Sequence, residues 1–190
     1  MLARLRSHNG SAEQPSSEAR LPRDLPTPSE IVPTDDLELF QLTVQGHFSD
    51  QRCRGMTVEE AHIIHTSFVG ADLRRIRLVD VMVEGADFSG ADMEEASFSR
   101  VEFSDCRMSG ALIPQAKLQD VSFTQCKLDG ANFRMSEADR ILFDHVNLRC
   151  VHRTGCSRSS CPGDRTFVYG GKPGRNTDRS HPLRRQARAD

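Results

Sequence analysis

Residues 86–105 read ADFSG ADMEE ASFSR VEFSD. Cut in fives, the stretch repeats one arrangement: a small residue, a spacer, a large apolar residue, then two polar or turn-forming residues. The same frame runs unbroken from Thr66 to Cys150, as seventeen blocks. Third positions run from Phe68, Leu73, Leu78 and Val83 to Phe143 and Leu148. First positions run from Thr66, Ala71, Ile76 and Val81 to Ile141 and Val146. These 34 positions contain no charged residue, whereas the other 51 contain 24. Two residues in every five therefore point inward. A helix cannot do this, because its apolar stripe recurs every 3.6 residues. A flat strand, with period two, fails as well. A chain that bends every five residues and stacks its bends into a filled solenoid does fit.

The triplets Ala71-Asp72-Leu73, Ala86-Asp87-Phe88, Ala91-Asp92-Met93 and Ala131-Asn132-Phe133 resemble the consensus of the pentapeptide-repeat family. That resemblance implies an all-β fold, a right-handed quadrilateral β-helix with four pentapeptides per coil. Residues 20 apart should then stack and share character. One column reads Val81, Val101, Val121, Ile141, and its neighbour reads Val83, Phe103, Phe123, Phe143. A third is Ala71, Ala91, Ala111, Ala131, and a fourth brings Cys106 onto Cys126. Gly70, Gly90, Gly110 and Gly130 mark one corner, where a positive φ suits type II turns. The expected structural core comprises Phe68, Phe88, Phe98, Phe103, Phe123, Phe133 and Phe143, with the alanine column Ala71, Ala91, Ala111 and Ala131.

The frame extends backwards through Phe48, Cys53, Val58 and Ile63, with Gln51 poorly suited to a small inward slot. Three segments follow: 1–45, a Pro/Ser-rich stretch of disordered composition; 46–150, the β-helix, with 46–65 a degenerate first coil; and 151–190, a basic tail read as disordered. Their net charges are −3, −5 and +6, giving −2 for 190 residues. At the spacing of neighbouring strands the rod is about 25 Å long. The chain has 10 Phe but no Trp, and stacked Phe fills a core without needing polar partners.

Chemistry-bearing residues are sparse. Asp80, Arg100, Asp120 and Arg140 form an outer column of alternating sign, read as a salt-bridge ladder. Asp72, Asp92, Glu94 and Glu95 cluster on one face, and Glu102 and Asp105 on another. These six are the candidate interaction surface; a solvated charged face is the plainer reading. Cys106 and Cys126 sit inward, where burial as free thiols is favoured over a disulfide. Cys150, His152, Cys156 and Cys161 have no zinc-knuckle spacing. No phosphate loop, nucleophile elbow or HExxH motif is present. The expectation is a non-enzymatic protein with no catalytic residue, cofactor or metal.

No apolar run approaches a membrane span, and Met1–Gln14 lacks a signal-peptide core. A cytoplasmic protein without membrane contact is expected. Its role is read as a protein-interaction scaffold with an unknown partner. Some members of the family that the sequence resembles are quinolone-resistance factors that mimic DNA and engage DNA gyrase or topoisomerase IV. The resemblance thus implies a type II topoisomerase as one partner. The mixed Asp/Arg column and a repeat net charge of only −5 depart from that pattern. The alternative is nucleic-acid binding through Arg175, Arg179, Arg184, Arg185 and Arg188. The register ends at Cys150 without the expected capping helix. The open coil could form a homodimer, be covered by the returning tail, or reflect a truncated or frame-altered repeat protein.

Overall fold

The computed structural model describes residues 24–147, together with Ala19, Leu21, Pro22 and the backbone of Phe167–Val168. It is a four-sided, all-parallel β-solenoid of about five coils. The strands are β1 (Glu38–Phe40), β2 (Thr43–Val44), β3 (Thr57–Ile64), β4 (Arg77–Glu84), β5 (Ser97–Ser104), β6 (Lys117–Thr124), β7 (Glu137–Asp144) and β8 (Phe167–Val168). β3 to β7 pair successively in parallel at a constant separation of 20 residues, as in Val81↔Val101 and Phe103↔Phe123.

The five-residue period has a backbone cause. Every fifth residue from Asp50 to His145 has φ in the left-handed region, giving four corners per coil. Among the described residues fourteen of these corners are not glycine, with φ between 46 and 61°. Each such residue costs on the order of 1 kcal/mol. The corner amides nonetheless find partners: His65 N–H donates to Glu84 O at 2.8 Å, Asp105 N–H to Thr124 O at 3.0 Å. The bend aims each corner N–H at the next coil, so the backbone accounting closes. It also explains the burial pattern of β3 to β7. A corner residue inside each strand, such as Asp80 in β4, inserts one extra outward position between the inward Leu78 and Val81.

We number the faces of each coil in chain order, as in 66–70 (first), 71–75 (second), 76–80 (third) and 81–85 (fourth). The long strands supply the third and fourth faces. The first and second faces are turns, closed by bonds such as Ala71 N–H to Phe68 O at 3.1 Å and Ile76 N–H to Leu73 O at 3.0 Å. Only the third residue of each four-residue turn has positive φ, as at Gly70, so the turns are type II.

All eleven residues expected in the core are buried to 2% exposure or less. Phenylalanines form two ladders. Phe48, Phe68 and Phe88 stack along the first face at 5.1 and 4.8 Å. Phe103, Phe123 and Phe143 stack along the fourth at 4.9 and 5.2 Å. The ladders trade places in one coil, where Phe88 meets Phe103 edge-on at 6.2 Å. Outside that coil, where one of these columns is aromatic the adjacent one is not (Val83 beside Phe68, Met108 beside Phe123), which limits the swing in interior volume.

The solenoid begins earlier than the boundary at residue 46 read from the sequence. β1 and β2 pair with β3, and Leu39 and Val44 are buried. Their separation is 19 residues (Leu39↔Val58, Val44↔Ile63) rather than 20. Corners fall at Asp36 and Gln41 instead of one residue earlier. The frame thus slips by one residue between Val44 and Phe48. Gly46 lies in the slip with φ 143°, a region that favours glycine. A fixed five-residue frame assigns Thr43 to the inward slot that Val44 takes, which hides the preceding coil. Gln51 is exposed, and Ile31 and Leu37 pack against the core from the N-terminal side.

At the other end, β8 pairs with β7 (Leu142↔Phe167, Phe143↔Val168). The chain after the last coil therefore returns to its edge, and β8 occupies that part of the coil's open face. The rest of 151–190 lies outside the described residues, as do Leu148–Cys150, the cysteine and histidine group at 150–161, and the tail arginines.

Candidate interaction surface

The filled interior leaves the outward positions as the place for recognition. The corner between the third and fourth faces carries the alternating column. Arg100 grips Asp80 with both nitrogens of one guanidinium edge, at 2.6 and 2.5 Å. Arg140 does the same to Asp120, at 2.5 and 2.8 Å. Asp120 is 8% exposed, so its carboxylate is largely withdrawn from water, while Arg140 remains open to solvent. Hydrogen bonds to Asp80 raise the Arg100 pKa above its ordinary value. The column is a structural ladder of bidentate pairs.

The candidate acidic residues divide between two faces. Asp72 and Asp92 stack one coil apart on the second face and bridge in parallel. Asp72 accepts from Arg54 Nε at 2.7 Å and from Arg74 Nε and Nη2, each at 2.9 Å. Arg74 lies 3.6 Å from Asp92. Below them Asp35 accepts the Arg54 amide at 3.0 Å and pairs with Arg52 at 2.7 Å. The Arg54 amide holds the Asp35 carboxyl below the usual range. Arginine therefore compensates the lower half of this face: Arg74 sits beside the acids in the repeat register, whereas the reach of Arg54 from the coil below is not anticipated from the spacing.

The compensation stops at the coil of residues 86–105. Among the described residues no salt bridge reaches Glu94, Glu95, Glu102 or Asp105. Above Glu94 and Glu95 the next coil offers Pro114 and Gln115. This coil carries six acids (Asp87, Asp92, Glu94, Glu95, Glu102, Asp105) and one base (Arg100), net −5. The coil below, 66–85, is balanced, with three acids and three bases. The coil above, 106–125, is net +1. The charge of the whole repeat thus equals that of one coil, a belt about 5 Å thick. Glu102 and Asp105 lie on the fourth face and the corner after it, away from Glu94 and Glu95.

Cys53, Cys106 and Cys126 are buried free thiols. The Cys106 Sγ–H is directed at Val83 O (3.5 Å) and Ser104 O (3.2 Å), and that of Cys126 at Phe103 O (3.5 Å) and Thr124 O (3.3 Å). Their contact with each other, with burial, pushes the Cys106 thiol far up. Thr66 fills the same slot two coils below Cys106, with its hydroxyl on Val44 O and Ile64 O, both at 3.1 Å. The slot suits a small donor that satisfies carbonyls inside the solenoid. Among the described residues no three metal-ligating side chains converge.

Models of pentapeptide repeats match residues 59–94 and 77–113, and a pentapeptide repeat region model matches 96–161. The chain belongs to the pentapeptide-repeat family. The right-handed quadrilateral β-helix expected from the resemblance is this family's fold. Among solved structures the solenoid is similar to trypsin-treated QnrB1, a plasmid-mediated fluoroquinolone resistance protein, at 15% identity and a TM-score of 0.51. That match covers 63% of this chain and 73% of that one, and at this identity it speaks to fold alone. A pentapeptide repeat protein from the thylakoid lumen of Arabidopsis thaliana matches at 22% identity and a TM-score of 0.40, covering 63% of this chain and 82% of that one. No curated protein matches the sequence. Among the described residues no helix is long and apolar enough to cross a membrane.

Proposed function

We propose that this pentapeptide-repeat protein is a non-enzymatic interaction scaffold that recognises a protein partner through the acidic belt of residues 86–105. The observation that carries the reading is the concentration of the net charge of −5 in that coil. The described rod is filled by its own side chains and holds its outward carboxylates at fixed spacing. Preorganised charge of this kind steers a basic partner and selects among partners by register. The finer form of the proposal names the partner as a type II topoisomerase, by resemblance to the DNA-mimicking members of the family. Charge reversal of Glu94 and Glu95 to Lys tests both forms. Wild-type protein at micromolar concentration should inhibit gyrase supercoiling or protect it from a fluoroquinolone, and the reversed variant should not. No effect of the wild type dismisses the topoisomerase. A crosslinked partner from the cytoplasm that is retained by the reversed variant dismisses the belt.

The second reading is nucleic-acid binding through residues 151–190, favoured by their net charge of +6. Deleting them should abolish a DNA affinity that falls steeply with salt. Binding to a protein partner should survive the deletion.

A further inference from the structure

The fourth face is not bare. Thr43, His62, Met82 and Glu102 form one outward column across four successive strands, β2 to β5. A length of the chain's own N-terminal segment meets this column at both ends, while Met82 between them stays partly open at 37% exposure. At its lower end Pro26 O accepts the Thr43 N–H at 2.8 Å. Seven residues earlier, the Ala19 N–H donates to Glu102 Oε1 at 2.9 Å. Three strand spacings are about 14 Å, within reach of seven residues in an extended conformation. At the described positions of the segment, Ala19, Leu21 and Leu25 are half-buried, whereas Pro22, Asp24 and Pro26 are exposed. That is the signature of an extended chain with one side against a surface. The prolines reinforce it, since a residue before proline is pushed out of the helical region, here Leu21 and Leu25. The column also holds an unsatisfied group. His62 Nε2 is buried without a hydrogen-bond partner, and its nearest carboxylate, Glu84, lies 3.6 Å away.

We propose that the Thr43–His62–Met82–Glu102 column is a docking groove for an extended peptide with apolar side chains at the positions of Ala19, Leu21 and Leu25, and that residues 19–26 are its intramolecular occupant. The segment is a strap. A partner using this groove must present the same pattern and displace the strap. This inference does not rest on the topoisomerase reading or on Glu94 and Glu95. It shares only Glu102 with the belt.

Limited trypsinolysis of the full-length chain tests it, because Arg20 and Arg23 lie within the strap while Arg4 and Arg6 precede it. Ala19→Pro removes the donor without touching the solenoid, and Glu102→Ala removes the acceptor. A charge-assisted hydrogen bond at a half-buried site predicts cleavage about tenfold faster after Arg20 and Arg23 in either variant. Rates at Arg4 and Arg6, and the thermal melt of the solenoid, should not move. A labelled peptide of residues 17–28 should bind the Ala19→Pro protein more tightly than the wild type, and the Glu102→Ala protein weakly. Equal cleavage of all three proteins overturns the proposal. So does protection that falls on dilution, which would put the strap on a second copy.

Discussion

The exchange of phenylalanine ladders makes Phe103 the residue whose loss should hurt most. Its side chain is 1% exposed. It stacks on Phe123 at 4.9 Å, meets Phe88 edge-on at 6.2 Å and leans on Phe98 at 5.6 Å. A buried Phe→Ala change costs about 3–5 kcal/mol, and each aromatic pair adds about 0.5–1.5 kcal/mol beyond its area. Three ring contacts in a rigid interior place Phe103→Ala at the upper end, about 5 kcal/mol. Phe48 occupies an equivalent slot but among the described residues meets only Phe68, at 5.1 Å. Phe48→Ala should cost about 3 kcal/mol. Phe103→Leu, which keeps aliphatic bulk and loses only the ring contacts, should cost about 1.5 kcal/mol. In a domain of this size the alanine variant at Phe103 should melt roughly 20 °C lower. Because each coil couples only to its neighbours, the loss should also broaden the transition. Urea titrations of the three variants followed by far-UV circular dichroism measure the costs. A smaller loss at Phe103 than at Phe48, or one below about 2 kcal/mol, would refute the view that the ladder exchange ties the two halves of the rod together.

The Arg140→Ala variant strips a bidentate partner from Asp120 and should cost about 1–3 kcal/mol in urea, whereas Arg77→Ala, at an exposed pair with Glu59, should stay within about 0.5 kcal/mol. Alkylation read by mass spectrometry should leave Cys53, Cys106 and Cys126 unmodified in native protein and label all three in denaturant; labelling of Cys106 without denaturant would contradict its burial. At Gly90, with φ 67° and no atom within 4 Å of an added Cβ, substitution by Ala should cost only the left-handed backbone, on the order of 1 kcal/mol. A larger loss by thermal melt would mean that this corner is more crowded than its geometry indicates.

The repeat was legible because a solenoid imposes the same demand at every coil. An inward slot filled by a charge would be costly, so the 34 inward positions from Thr66 to Cys150 exclude charge without exception. A demand met once leaves no such trace. The one-residue slip at Gly46 occurs a single time, and it moved Leu39 and Val44 out of a frame in which they would have been recognised. The bond from Ala19 to Glu102 joins residues 83 apart in sequence, and no periodicity points to it. The acidic surface shows the same division more sharply. Residue spacing puts Asp72, Asp92, Glu94 and Glu95 on one face, and Asp72 and Asp92 bridge there one coil apart. It could not show that Arg54 reaches across coils to Asp72, because side chains one coil apart lie 18 to 20 positions apart in the chain, whereas Arg74 sits two residues from Asp72 on the same coil. Stacking therefore separates acids that look equivalent in sequence: Asp72 is spent within the rod, while Glu94 and Glu95 face solvent beside Pro114 and Gln115. A partner drawn by charge must then read the girth of the solenoid at one coil, not its length. That requirement differs from the extended negative surface of a DNA mimic, and the Glu94 and Glu95 reversal separates the two.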